Sequence, residues 1–473
     1  MNSKKINILI ISLLLLVSFS YAQKDPKTLK FTDLDYKPQR PQISEIKNDI
    51  KFYFKEDHEA PIINTYIIVK TGDLNDPVGK KGVAALTFAL MKSGGTQKLT
   101  PEEVENKLDS LGSTLSSSSG TEFSRISLWT LSKNFNESWS ILADMISNPR
   151  FDKDRFEMEK KKELESIRRR WDEPRSAGFI LFEELIYGKD YPEIKRTTTK
   201  DIESITLDDI KIFYAQNIKD RELVIAIAGD FNAQKIATQL KKDFKQWNPR
   251  SAPKLNLPKA KLAARPGVYL IDKEDMTQGI ICLGHLGINR LDVDNVEMNI
   301  LNFIYGTGGF NSRLMREVRS NRGLAYSTFG VIGDGRDLGT FINFCQTKNQ
   351  TVGLATKLIL HILTDITKTK VSLGEIETAK KSEQNAFVHK FNSSQAILLE
   401  TVYLDLEGYP SDYLDTYISR IKEVTREKVL EMAKRTIHPN DIVILVVGKK
   451  AELIDQLKEL KIGEIKELPL PKE

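Results

Sequence analysis

Residues 305–330 read YGTGGFNSRLMREVRSNRGLAYSTFG. Gly306, Gly308 and Gly309, followed by Asn311 and Ser312, predict a tight turn and a helix N-cap. The short helix that follows places Leu314 and Val318, four apart, on a buried face, with Arg313, Arg316 and Arg319 on other faces. Gly323 stops the helix, and residues 324–329 start a strand. Arg319 thus falls on the last helical turn and Tyr326 at the start of a strand seven residues later. A guanidinium and a phenol converging from two rigid elements can polarise a carbonyl or hold an oxyanion. The competing reading is an arginine capping its own helix and a half-buried strand tyrosine.

Outward from this stretch, one order of elements occurs twice. In the first half, residues 43–55 and 62–70 read as strands, the second followed by the turn Thr71-Gly72-Asp73. Residues 82–92 (GVAALTFALMK) are a strongly apolar helix closed by Gly94-Gly95. Thr100-Pro101-Glu102-Glu103 supplies a cap, a proline at the first helical position and a glutamate at the third. Val104, Leu108 and Leu111 mark the buried face of that helix. Residues 123–131 alternate as a strand. Residues 152–171 form a long charged helix with Leu164, Ile167 and Trp171 on one stripe, ending before Pro174. Thr206 caps a further helix, and 222–228 (ELVIAIA) is a buried strand ending at Gly229-Asp230. In the second half, 267–271 and 279–286 are strands, 293–305 the apolar helix, and 338–346 a strand. Ser372 and Thr425 cap helices, and 441–447 (DIVILVV) is a buried strand ending at Gly448. Gly229 and Gly448 lie 219 positions apart, and Gly95 and Gly309 lie 214 apart. Two landmarks at nearly one offset predict an internal duplication. The fold class is α+β, with domains at 42–247 and 267–473 joined by an exposed Pro-, Lys- and Ala-rich linker at 248–266.

A chain of 473 residues with 40% hydrophobic and 29% charged residues is an ordinary globular composition with ample core. Residues 1–22 predict a signal peptide: Lys4 and Lys5, an apolar run at 6–17, and Ser20-Tyr21-Ala22 before Gln23. A membrane anchor is the competing reading, but the apolar run is short and no second long one follows. The expectation is an exported chain, periplasmic or secreted, with no stable membrane span after cleavage, beginning with an extended arm at 23–41. Cleavage removes two of the 70 basic residues, leaving 68 against 65 acidic ones, a net charge of +3. That bias is too small for a nucleic-acid partner. Cys282 and Cys345 each lie in an apolar strand. Export permits a disulfide between them, and two buried free thiols are the other reading.

The run SRL…RE.R…GLAYS resembles the C-terminal half of the insulysin/pitrilysin family of zinc peptidases, which includes the mitochondrial processing peptidases. The resemblance covers nearly the whole mature chain. It implies two homologous halves, each a mainly antiparallel sheet with helices packed on it, arranged as a clamshell around a peptide chamber. It places Arg319 and Tyr326 at the positions that contact the substrate carbonyl. Active members carry H-x-x-E-H on the apolar helix, where two imidazoles hold zinc and the glutamate activates the metal-bound water. Here the histidine positions are Ala85 and Ala89, and the general-base position is Phe88. The third ligand, about seventy-seven residues later, falls on Ser166. Glu165 beside it points about 100° away on a helix. His58, His285, His361, His389 and His438 are scattered. No cofactor is expected in this chain, and zinc is expected in a partner.

The resemblance therefore implies the non-zinc subunit of a secreted heterodimeric metalloendopeptidase, inactive alone. A homologous secreted partner with an intact motif would carry the zinc, while Arg319 and Tyr326 bind the scissile carbonyl. The substrate would be an unfolded peptide, held by strand addition near residues 116–131. A flexible serine loop at 116–120 is the other reading of that segment. The alternative function is a catalytically inactive scaffold or peptide-binding protein. A self-sufficient hydrolase of another type fits poorly: no serine sits in a G-x-S-x-G elbow, and Asp405-Glu407 and Asp172-Glu173 read as solvated faces or helix ends.

Overall fold

The computed structural model describes residues 36–45, 50–251 and 255–471. The signal peptide expected at 1–22 and most of the arm expected at 23–41 lie outside the described residues. The first sheet contains β1 (Gln42–Glu45), β2 (Ile50–Glu56), β3 (Ile62–Val69), β4 (Thr114–Ser119), β5 (Ser124–Leu131) and β6 (Leu223–Gly229), in the order β1-β2-β6-β3-β5-β4. The remaining strands are β7 (Gly267–Asp272), β8 (Gln278–Leu286), β9 (Ile288–Asn289), β10 (Ala325–Ile332), β11 (Asp334–Gly335), β12 (Thr340–Lys348), β13 (Val443–Gly448) and β14 (Ile465–Leu468). The second sheet has the order β10-β12-β8-β13-β7-β14, and β9 with β11 forms a two-stranded parallel ribbon.

The duplication is carried strand for strand. The series β2-β6-β3-β5-β4 is repeated as β7-β13-β8-β12-β10. Each series begins with one parallel pair and continues antiparallel. β6 and β13 sit centrally and are buried along their whole length. Their unbroken apolar sequences, LVIAIAG and VILVVG, suit a strand covered on both faces. The outermost strands break the pattern: β1 runs antiparallel to β2, whereas β14 runs parallel to β7. Residues 43–55, expected as one strand, form two antiparallel ones, with Gln42 opposite Phe54.

Two helices decide how the halves fit. Pro174–Tyr187 and Ser394–Glu407 occupy equivalent places in the two halves, and each packs on the sheet of the other half. Leu181, Phe182 and Ile186 of the first helix cluster with Ile271, Ile280, Phe344 and Leu445 of the second sheet. Leu398 and Val402 of the second helix cluster with Tyr53, Tyr66, Val224 and Ala226 of the first sheet. Each such fully buried side chain stabilises the joint by about 1.5–3 kcal/mol. Polar contacts pin both ends. Asp405 accepts hydrogen bonds from Lys51 Nζ at 2.9 Å and from the Tyr53 hydroxyl. The Tyr187 hydroxyl donates to the Leu338 carbonyl at 2.9 Å and accepts from Thr340 at 2.9 Å. Backbone N–H groups of Ala263 and Ala264, in the connector between the halves, donate to the carbonyls of Ile186 and Leu185. Residues Pro38–Glu473 consequently form a single unit.

Cys282 and Cys345 are free and buried. Cys282 lies opposite Phe344 and Cys345 opposite Ile281, so the two thiols point to opposite faces of one sheet. Burial pushes the Cys345 thiol up to about 12. No described helix is long and apolar enough to cross a membrane.

Candidate carbonyl-binding site and the erased metal site

The stretch at 305–330 begins differently from the sequence expectation. Gly306 is not in a turn but inside a π-helical segment, Phe303–Thr307, that continues the helix Asn295–Asn302. A Cβ on Gly306 would lie 2.2 Å from the Gly330 carbonyl oxygen, so only glycine lets this segment rest on β10. The turn itself is made at Gly309, with φ of 56°. Ser312 then caps the next helix: its hydroxyl donates to the Gly309 carbonyl at 2.8 Å and accepts from the Met315 N–H at 3.3 Å. The helix widens to π geometry over Met315–Ser320, with Leu314 and Val318 fully buried beneath it. Gly323, with φ of 61°, ends it, and the Gly323 and Leu324 N–H groups close on the Arg319 and Val318 carbonyls.

Arg319 and Tyr326 are brought together. The Arg319 guanidinium carbon lies 5.2 Å from the Tyr326 ring centroid and 5.0 Å from that of Phe310, both within cation–π range. The sulfur of Met315 lies 3.9 Å from Nη1. Tyr326 is 81% exposed and Phe310 65% exposed. Tyr326 also sits at a bulge: Ala325 pairs with Thr347 and Ser327 with Gln346, leaving Tyr326 out of the ladder. A bulge re-aims the side chain of the extra residue.

The neighbouring arginines differ in kind. Arg313 is held by Glu375 at 2.8 Å and Asp365 at 3.0 Å. Arg322 pairs with Glu317 at 2.7 Å, and Arg316 with the same carboxylate at 3.3 Å. Arg319 has no carboxylate within ion-pair distance among the described residues; its guanidinium lies over two aromatic rings, with Nη1 toward the Met315 sulfur. Burial opposes ionisation of Glu375, but Arg313 and the Ser372 N–H overcome it and hold that carboxyl down at about 2. The anchored Arg313–Glu375 pair fixes the helix that presents Arg319. Sequence reasoning missed Phe310 and Met315; a lone Phe between glycine and asparagine, outside any apolar period, was the available signal.

The positions that the resemblance assigns to the metal site lie in the first half on helices Val83–Ser93 and Lys153–Arg168. Ala85 and Ala89 present methyl groups, and Phe88 is 1% exposed within the hydrophobic core. Ser166 is exposed, and Glu165 is exposed and bonded to Arg169 at 2.8 Å. Glu163, a half-buried carboxylate on this helix, is pushed up by burial, against the pull of Arg170 and with a smaller push from Asp73. Methyls and a buried phenyl ring offer no donor to a metal, so these residues do not fit zinc. Among the described residues no group of three or more His, Cys, Asp or Glu is placed to hold a metal ion. His285 is committed elsewhere: Nδ1 donates to the Leu286 carbonyl at 2.6 Å and Nε2 accepts from the His438 N–H at 2.9 Å. Burial lowers it to about 4. Asp76, unnoticed in the sequence, caps the helix Val83–Ser93 from outside, accepting from the Gly82 and Ala84 N–H groups at 2.9 and 2.7 Å.

β4 is the edge strand of the first sheet, so the serine run at 116–119 is ordered strand rather than loop. It packs beside the helix that carries Ala85 and Ala89.

Residues 51–186 match the family profile described as Insulinase (Peptidase family M16), and residues 204–383 match Peptidase M16 inactive domain. The chain belongs to the M16 family. The M16 relatives include Non-peptidase homolog YmxG of Helicobacter pylori, 24% identical over 406 residues, covering 84% of this chain and 91% of the relative. Zinc protease PqqE of the same organism is 23% identical over 397 residues, covering 80% of this chain and 88% of the relative. Among solved M16 structures, the peptidase M16 inactive domain from Pseudomonas fluorescens has a TM-score of 0.75 at 23% identity, covering 87% of this chain and 98% of that one. A protease from Helicobacter pylori has a TM-score of 0.76 at 19% identity, covering 87% and 100%. These likenesses establish the M16 fold of two six-stranded sheets flanked by helices.

Proposed function

We propose that this chain is the non-zinc subunit of an exported two-chain M16 peptidase. The observation that carries the reading is Arg319: a guanidinium held between Phe310 and Tyr326 with no carboxylate to neutralise it among the described residues. Its N–H donors and the exposed Tyr326 hydroxyl suit the oxygen of a scissile carbonyl, whose negative charge grows as the bond is attacked. The partner's zinc would supply the activated water, chemistry for which Ala85, Phe88, Ala89 and Ser166 have no groups. The edge strand β4 offers unpaired backbone groups to an extended, unfolded peptide. One organism holding relatives named as a non-peptidase homologue and as a zinc protease is consistent with such a pairing. The signal-like residues 1–22 support a location outside the cytoplasm, periplasmic or secreted.

The test is peptidase activity of the chain alone and mixed with the nearest exported homologue carrying H-x-x-E-H. The expected result is no activity alone and chelator-sensitive activity in the mixture. Arg319→Ala and Tyr326→Phe should each reduce that activity about a hundredfold, the effect of one oxyanion donor. The second reading, an inactive scaffold, draws on the relative named a non-peptidase. A complex whose activity is indifferent to both substitutions would establish it.

A further inference from the structure

The 36 residues from 231 to 266, spanning the last helix of the first half and the connector, hold nine basic residues against one acidic, Asp243. The whole chain holds 70 against 65, so the remainder carries 61 against 64. The basic excess of this protein therefore belongs to one stretch, and the carbonyl-binding site makes no use of it.

The charge is presented outward. The helix Ala233–Asp243 buries Ala233, Ile236, Ala237 and Leu240 and exposes Lys235, Lys241 and Lys242, with Lys245 exposed just beyond it. None of these four ammonium groups has an ion-pair or hydrogen-bond partner among the described residues. Asp243 is taken by the Trp139 indole N–H at 2.8 Å and by the Gln239 amide at 2.8 Å. Along the connector, burial alternates. Ala260 is buried, and Leu262 and Ala264 pack on the second half's core, whereas Lys259, Lys261 and Arg265 stay exposed. The backbone beneath them is fixed: the Ala260 N–H donates to Asp337 at 2.6 Å, and those of Ala263 and Ala264 donate to the Ile186 and Leu185 carbonyls. Lys259 meets a carboxylate, Asp337 at 3.5 Å, but remains 85% exposed. A helix C-terminus favours cations in its last turn, which accounts for Lys241 and Lys242. It does not account for Lys245, Lys259, Lys261 or Arg265.

We propose that this stretch is a docking face for the surface of an anionic phospholipid bilayer. Ammonium groups on flexible stems suit mobile headgroup phosphates, and each adds attraction near such a surface. Leu255, between Arg250 and Lys259 in sequence and 42% exposed, supplies an apolar contact for the interfacial layer. Nucleic acid fits less well. Phe231, Phe244 and Trp247, the aromatic residues of the stretch, are buried and offer no face on which bases could stack. The Arg250 guanidinium is turned to the Asp220 and Lys219 carbonyls. Attachment is peripheral and reversible, and it rests on neither Arg319 nor a zinc-bearing partner.

The experiment is co-sedimentation of residues 23–473 with vesicles of phosphatidylglycerol and phosphatidylcholine, against vesicles of phosphatidylcholine alone. Residues 1–22 are omitted because their apolar run would partition by itself. The expected result is binding to the anionic vesicles that weakens as salt rises, and none to the neutral ones. Lys241→Gln, Lys242→Gln and Lys245→Gln together should lower the partition coefficient about a hundredfold, about fivefold per lysine. The control combines Lys368→Gln, Lys381→Gln and Lys434→Gln, at exposed positions in the second half. It has the same net charge and should bind like the parent. Both triple variants should keep the parent's melting temperature, so lost binding cannot be blamed on unfolding. No binding to anionic vesicles, or equal binding to neutral ones, would overturn the docking face. A first triple variant that binds like the parent, or a control that loses as much, would overturn its location. Tighter binding of duplex DNA or of polyglutamate at the same salt would overturn the lipid assignment.

Discussion

Leu398 belongs to the second half of the sequence, yet it is fully buried against the first sheet. Replacing it with alanine removes three carbons from a joint lined by Tyr53, Tyr66, Ile68 and Val224. For a site with no exposed surface the expected cost is about 3 kcal/mol, within the 2–5 kcal/mol range for such truncations. With a urea slope of about 3 kcal/mol per M or more for a chain of this size, the midpoint falls by up to about 1 M. The reporter is built in, because all four tryptophans, Trp129, Trp139, Trp171 and Trp247, precede the connector's midpoint. Trp139 and Trp247 are buried in the first half's core. Tryptophan fluorescence during urea unfolding should therefore register a mutation more than 150 residues away in sequence. It should move together with far-UV dichroism as one transition. An unchanged fluorescence midpoint, with only part of the dichroism shifted, would mean that the halves unfold independently and that the exchanged helices do not hold them together.

Gly306→Ala should lower the melting temperature, because its Cβ would meet the Gly330 carbonyl oxygen at 2.2 Å and push the π segment off β10. Gly374→Ala, in a helix with nothing within 4 Å, should leave it unchanged or raise it. Glu375→Gln should cost about 3 kcal/mol at neutral pH, from a carboxyl moved from 4.5 to about 2 on a side chain 14% exposed. The sign follows from the depressed value: the stabilisation is complete above pH 4.5 and is lost as the pH falls towards 2. Parent and variant denaturation curves should accordingly converge between pH 5 and 2, and a gap that persists at pH 2 would contradict the role given to Arg313. Phe88→Glu, which places the general-base residue expected from the resemblance at a position 1% exposed, should destabilise by more than about 3 kcal/mol. A parental urea midpoint for that variant would show that the position opens to solvent.

The sequence carried the local structure well where chemistry is local. The capping box at Thr100 and Glu103 is formed as written, as are those at Thr206 and Ser372. The apolar strands ending at Gly229 and Gly448 are the centres of two sheets of matching topology. The proximity of Arg319 and Tyr326 was also legible, since a glycine stop between a helix and a strand leaves little freedom. What could not be read was partnership at a distance. Apolar spacing shows that a face is buried, not what buries it, so nothing in Leu181 or Leu398 announces that each is covered by the other half. The π widening over Met315–Ser320 and the bulge at Tyr326 escape for another reason. Both are one-residue adjustments made by packing, and side-chain period hardly registers them.

The exchanged helices also impose a schedule on synthesis. The last strand of the first sheet is complete at Gly229, but the helix that covers its outer face begins only at Ser394, 165 residues later. At roughly 5–20 residues per second the ribosome needs about ten to thirty seconds to bridge that interval. Throughout it Tyr66, Ile68 and Ala226 form an uncovered apolar face on a half-made protein. The first half emerges first but cannot finish first, and a nascent chain halted at the connector is left with a sticky sheet that only its own unsynthesised remainder can close.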